Sequence, residues 1–120
     1  MDILNILFAL LSIGLGCFGW LAPKYTMSAL YLETGLNEQG QPDTMGLSEL
    51  RASVGCLFVG MGVGALILGD PVAYAMLGFC WTGAAVGRLT SCVIDGASRK
   101  KWLYFWIEAV VGVPAIVLNL

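Results

Sequence analysis

A chain of 120 residues that is 58% hydrophobic and only 12% charged is too apolar for a soluble domain of its size, and a mean hydropathy of +0.84 assigns it to a bilayer. The net charge of -2, with only six lysines and arginines, excludes a nucleic-acid footprint, which requires clustered basic residues. The absence of histidine excludes imidazole ligation of haem and a Ser-His-Asp triad.

Four segments are apolar enough to span. The first runs from Ile3 to Ala22, interrupted only by Asn5, Ser12 and glycines, and stops at Pro23, which disfavours helix at the residue before it. Met1-Asp2 is acidic where a removable signal peptide is basic, so this segment is expected to stay as a helix. A long loop follows, residues 23–46, whose middle from Thr34 to Thr44 is polar and turn-rich. Its flank, with Tyr25, Met27, Leu30, Tyr31 and Leu32, is suited to a short interfacial helix. The loop reads either as a plain connector or as a lid over a site on the same face.

The second span takes Leu47 to Leu68 and ends before the turn-forming Gly69-Asp70-Pro71. The third takes Val72 to Ile94 and stops at Asp95-Gly96, and the fourth takes Trp102 to Leu120. No lipidation box is expected, since Val117-Leu118-Asn119-Leu120 has no cysteine at the required place. Strand-like alternation is missing, so a barrel is excluded in favour of an all-α, integral membrane four-helix bundle forming one transmembrane domain. Four crossings, up-down-up-down, leave both termini on one face, with Lys24 and Arg99-Lys100-Lys101 on the other. By the positive-inside rule the basic face is cytoplasmic and the termini are not.

Three charges interrupt these apolar runs. A span needs about 20 residues, yet the uncharged part of the second is only Ala52 to Gly69 and that of the third only Val72 to Gly87. Arg51 is therefore expected near an interface and Arg88 somewhat deeper. Glu108, the seventh residue of its segment, falls roughly 10 Å inside at about 1.5 Å per residue. With Glu49 and Asp95, all five ionisable groups are expected in the half of the membrane next to the basic face. Arg88 and Glu108 come out at similar depth on consecutive antiparallel helices, so they are the expected ion pair; Arg51 is within reach of Asp95 or a share of Glu108. Intramembrane charges of this kind mark either a structural latch or a site, and Arg51 and Glu49 also fit simple snorkelling to the interface.

Glycine is the other organised signal. Gly60-x-x-x-Gly64 and Gly83-x-x-x-Gly87 set small residues on one helical face, and close helix packing is expected there, within the bundle or, alternatively, between copies. Cys17, Cys56, Cys80 and Cys92 stand singly, without zinc or redox spacing, and read as small buried hydrophobes; no metal or other cofactor is called for. Trp20, Tyr25, Trp102, Tyr104 and Trp106 gather near the basic face as an interfacial belt.

The run Glu49-Leu50-Arg51-Ala52, followed by Gly55 and Gly60, then Gly87-Arg88-Leu89, Asp95-Gly96 and Glu108, resembles the pattern of a family of small four-helix membrane proteins, domain of unknown function 4345. The likeness extends to Gly19-Trp20-Leu21-Ala22-Pro23 at the end of the first span and covers nearly the whole chain. The resemblance implies a four-helix fold and the significance of those positions, and it supplies no activity.

Two functions fit. The first is a non-catalytic module that binds a lipid or other hydrophobic molecule, or packs as an accessory subunit beside a membrane-protein partner or a second copy. The alternative is an embedded isomerase, cyclase or hydratase acting on an isoprenoid- or steroid-like substrate. There Glu108 moves a proton, Arg88 or Arg51 positions an oxyanion, and Glu49 and Asp95 support them. A through-going ion path is disfavoured, because the half away from the basic face offers only Asn5 and Ser12.

Overall fold

A computed structural model describes residues 2–120; Met1, at the head of the acidic start, lies outside the described residues. Five helices follow one another: α1 (Ile3–Leu21), α2 (Pro23–Ala29), α3 (Met45–Leu68), α4 (Pro71–Ile94) and α5 (Arg99–Asn119). Among the described residues, α1, α3, α4 and α5 are long and apolar enough to cross a membrane. Their surfaces match that solvent. Side chains such as Ile67 and Val93 are nearly four-fifths exposed, at 78% and 79%, while the interior sets small residues, including Ala9, Ala65, Ala75, Ala85 and Ala115, beside the larger Tyr74, Leu77 and Trp81. Lipid is as apolar as leucine, so association rests on close packing of small side chains rather than on hydrophobic burial.

Local chemistry moves several helix ends away from the apolar runs. Ala22, forced out of the helical region by Pro23, separates α1 from α2. Asp70 caps α4 by accepting from the Val72 N–H at 2.8 Å, so that helix starts at Pro71. Ser98 caps α5 by accepting from the Lys101 N–H at 3.2 Å, so its basic triplet is helical and α5 begins three residues before Trp102. The chain leaves α4 through Gly96, whose φ of +101° suits a residue without a Cβ.

The segment between α1 and α3 is ordered by its own hydrogen bonds. After α2 the Tyr31 N–H donates to the Ser28 carbonyl and the Leu32 N–H to that of Met27, a Schellman closure. Tyr31 occupies the left-handed position, at φ +56°, where glycine is the usual choice. Beyond it, Asn37 Oδ1 accepts from the N–H groups of Gln39 and Gln41, and Leu36 and Pro42 form an isolated antiparallel bridge. The α2 helix takes in Tyr25 and Met27 of the short helix expected there, whereas Leu30, Tyr31 and Leu32 form its closing turn.

Residues 50–56 of α3 form a π-helical stretch, with the Leu57 N–H reaching back five residues to the Ala52 carbonyl. The Ser53 hydroxyl donates to the Glu49 carbonyl at 2.6 Å, taking the acceptor that an ordinary helical turn would use.

The chain forms two compact units: one holds the chain up to Ala9 with Gly64–Leu120, the other Leu10–Val63. In the first, α4 and α5 are an antiparallel hairpin. A Cβ on Gly78 would stand 2.8 Å from the Gly112 carbonyl oxygen, and one on Gly112 would stand 2.5 Å from the Thr82 nitrogen, so the two backbones touch. The buried amides of Asn5 and Asn119 bond reciprocally, at 2.7 and 2.8 Å.

In the second unit, α1 and α3 approach in the same way. A Cβ on Gly55 would lie 2.5 Å from the Trp20 nitrogen, and one on Gly19 within 2.9 Å of Gly55. Buried Ser12 donates to the Phe58 carbonyl at 2.9 Å. These close approaches correct the expectation that the paired glycines at four-residue spacing pack within the bundle. Nothing outside the local helix lies within 4 Å of a Cβ built at Gly60, Gly64, Gly83 or Gly87, whereas Gly16, Gly19, Gly55, Gly78 and Gly112 carry the close approaches. A four-residue spacing defines a face; which face meets a neighbour is decided by the rest of the helix.

Candidate functional site

Arg88 and Glu108 meet because each lies ten residues from Ser98, the cap of α5, on the two arms of an antiparallel hairpin. Arg88 Nη2 donates to Glu108 Oε1 at 2.7 Å, a charge-assisted bond of good length. The carboxylate is the more enclosed partner, its side chain 11% exposed against 32% for the guanidinium. The guanidinium carbon also stands 5.3 Å from the centre of the Tyr104 ring, within cation–π range. Tyr104 precedes Glu108 by four residues, so one helical face presents both to Arg88.

The pair is only half used. Arg88 Nε and Glu108 Oε2 are buried, and neither has a hydrogen-bond partner among the described residues. Thr82 Oγ1, one turn of α5 further along the same seam beside Gly112, is in the same condition. Buried polar atoms are ordinarily satisfied, and this ion pair leaves one donor and one acceptor over. A group able both to donate and to accept, such as a hydroxyl, complements them.

Asp95 closes α4, its Oδ2 accepting from the Ser91 hydroxyl at 3.0 Å, and lies two turns beyond Arg88 at the exposed helix end. Glu49 and Arg51 belong to the second unit. Glu49 is exposed just before the π-helical stretch. Arg51 donates from Nη1 to the Trp20 carbonyl at 2.6 Å, so it satisfies an acceptor at the end of α1. The structure thus brings Arg88 and Glu108 into contact and gives Asp95 and Arg51 other partners, Ser91 and Trp20.

The profile of the domain of unknown function DUF4345 matches residues 1–119. The chain belongs to this family. No curated protein and no solved structure matches it.

Sequence reasoning missed three members of the polar framework in this DUF4345 chain. Tyr104 reads as a belt residue until Arg88 is placed over it, although its four-residue spacing from Glu108 was a usable signal. Asn5 reads as a lone polar interruption of the first span, and only the fold makes Asn119 its partner. The cysteines depart from the expected burial: Cys92 is buried, Cys17 intermediate, and Cys56 and Cys80 exposed. A thiol is apolar enough to face lipid as well as core. Among the described residues no group of three or more His, Cys, Asp or Glu side chains is arranged to hold a metal.

Proposed function

We propose that this protein is a small multi-pass membrane module that binds a hydrophobic molecule carrying a hydroxyl-like polar end. The observation that carries the reading is the unmatched donor and acceptor, Arg88 Nε and Glu108 Oε2, buried beside a formed ion pair. A hydroxyl supplies one hydrogen atom and one lone pair, the complement of such an acceptor and donor, while the lipid-like remainder lies along the apolar helix surfaces. In this reading the spans cross up-down-up-down as a four-helix bundle. Lys24 and Arg99-Lys100-Lys101 lie on the cytoplasmic side and the termini on the other.

The test is native mass spectrometry of the full chain extracted in a mild detergent. A lipid-like adduct is expected on the wild type, with occupancy reduced about tenfold in Glu108→Gln, the size of one hydrogen bond to a charged group. A single ligand-free species across several detergents would sink the proposal.

A catalytic reading draws on the same oxygen. A carboxylate with one oxygen held by arginine and the other unmatched is suited to take a proton from an isoprenoid- or steroid-like substrate and return it at another carbon, as in isomerisation, or to take one from water and deliver it, as in cyclisation or hydration. It demands that Glu108→Gln bind the molecule and leave it unchanged.

A further inference from the structure

The second unit contains a cleft of about 640 Å³, a size suited to a ligand. Its lining includes Trp20 from the end of α1, Thr44 from the loop, and Leu47, Ser48, Arg51 and Cys56 from the first turns of α3. The π-helical stretch helps to form this face. Hydrogen bonds that reach back five residues bring residues five apart closer to alignment than an ordinary helix would, and Arg51 and Cys56 have that separation.

Chemically the lining has two parts. Arg51 supplies a permanent positive charge, held in place by its Nη1 bond to the Trp20 carbonyl, which leaves further guanidinium donors for an anion. Thr44 and Ser48 add hydroxyls. Trp20, Leu47 and Cys56 are apolar. The nearest carboxylates in sequence, Asp43 and Glu49, are not part of the lining, and Asp43 Oδ1 already accepts from the Met45 N–H at 2.8 Å. Position adds a further constraint: Trp20 lies at the end of one candidate span and Arg51 near the start of the next, ends that the proposed topology sets at the headgroup layer.

We propose that this cleft seats the phosphate headgroup of a membrane phospholipid, with Arg51 on the phosphate oxygens and the first acyl carbons against Trp20 and Leu47. Charge-assisted hydrogen bonds to arginine recognise the phosphate, and the apolar wall distinguishes a lipid from a free anion. This site is independent of the Arg88–Glu108 pair.

Cys56, exposed in the cleft, reports occupancy; Cys80, exposed on α4, is the internal reference. Alkylation by a maleimide is followed residue by residue, by mass spectrometry, on the full chain in dodecyl maltoside. Dioleoylphosphatidylglycerol is expected to slow Cys56 about tenfold while Cys80 is unchanged, and Arg51→Gln to remove the protection. Equal protection by dioleoylglycerol would overturn the role of the phosphate. Equal protection by inorganic phosphate would overturn the lipid assignment, and persistence of protection in Arg51→Gln would overturn the role of the arginine. Should that variant not fold, Ser48→Leu, which keeps the cation and fills the cleft, takes its place: lost protection supports the site and retained protection refutes it.

Discussion

At the scale of single residues the ion pair matters most for what its separation would leave behind. Arg88→Met strands a largely buried carboxylate, and a cost of about 3 kcal/mol is expected. Glu108→Gln keeps a hydrogen-bond acceptor facing Arg88 and should cost about 1 kcal/mol. The double variant Arg88→Met/Glu108→Met removes both charges and is expected within about 1 kcal/mol of the wild type, because apolar side chains in this setting need no compensation. Unfolding in mixed micelles of mild detergent and dodecyl sulfate measures all three. A double variant no better folded than Arg88→Met alone would exclude the pairing. The pair was legible in the sequence because a short turn between two helices fixes which residues lie opposite one another. The orphaned atoms Arg88 Nε and Glu108 Oε2 were not, since they depend on side-chain geometry within the seam.

At the scale of the element, helix identity was readable and helix contact was not. Hydropathy averages over some twenty residues and so found the four spans, but a span's ends depend on one cap each, as at Asp70 and Ser98. The π-helical stretch of α3 depends on a local choice of hydrogen-bond partner that no periodicity announces. Glycine illustrates the difference in a testable way. Gly55→Ala would drive a methyl group onto the backbone of Trp20 and should cost about 2 kcal/mol or more, as overpacking does in a close contact. Gly60→Ala meets open space and should stabilise α3 by about 0.5–1 kcal/mol through a smaller loss of backbone entropy. Thermal unfolding of the two variants in one detergent decides the matter. Destabilisation by Gly60→Ala would show that its face is a packing surface after all.

On the scale of the whole molecule, large apolar side chains such as Ile67 and Val93 are exposed, while the buried residues join several alanines to Tyr74, Leu77 and Trp81 and to the polar Asn5, Ser12 and Glu108. The proposed sidedness makes its own prediction. In a bacterial inner membrane, a phosphatase fused after Leu120 is expected to be active and a fluorescent protein fused there dark; the reverse result would invert the orientation, as would Lys24 and Arg99 proving accessible to protease from outside. The reciprocal amide bond between Asn5 and Asn119 carries a consequence in time rather than space. Its two residues are separated by 114 positions, so at the ordinary pace of synthesis the first amide waits roughly 6–23 s for the second to be made. During that interval a polar group in an apolar helix has only water, headgroups or transient helpers to hold it. Locking of this amide pair therefore waits for α5 to be made, and until then the Asn5 amide is without this partner.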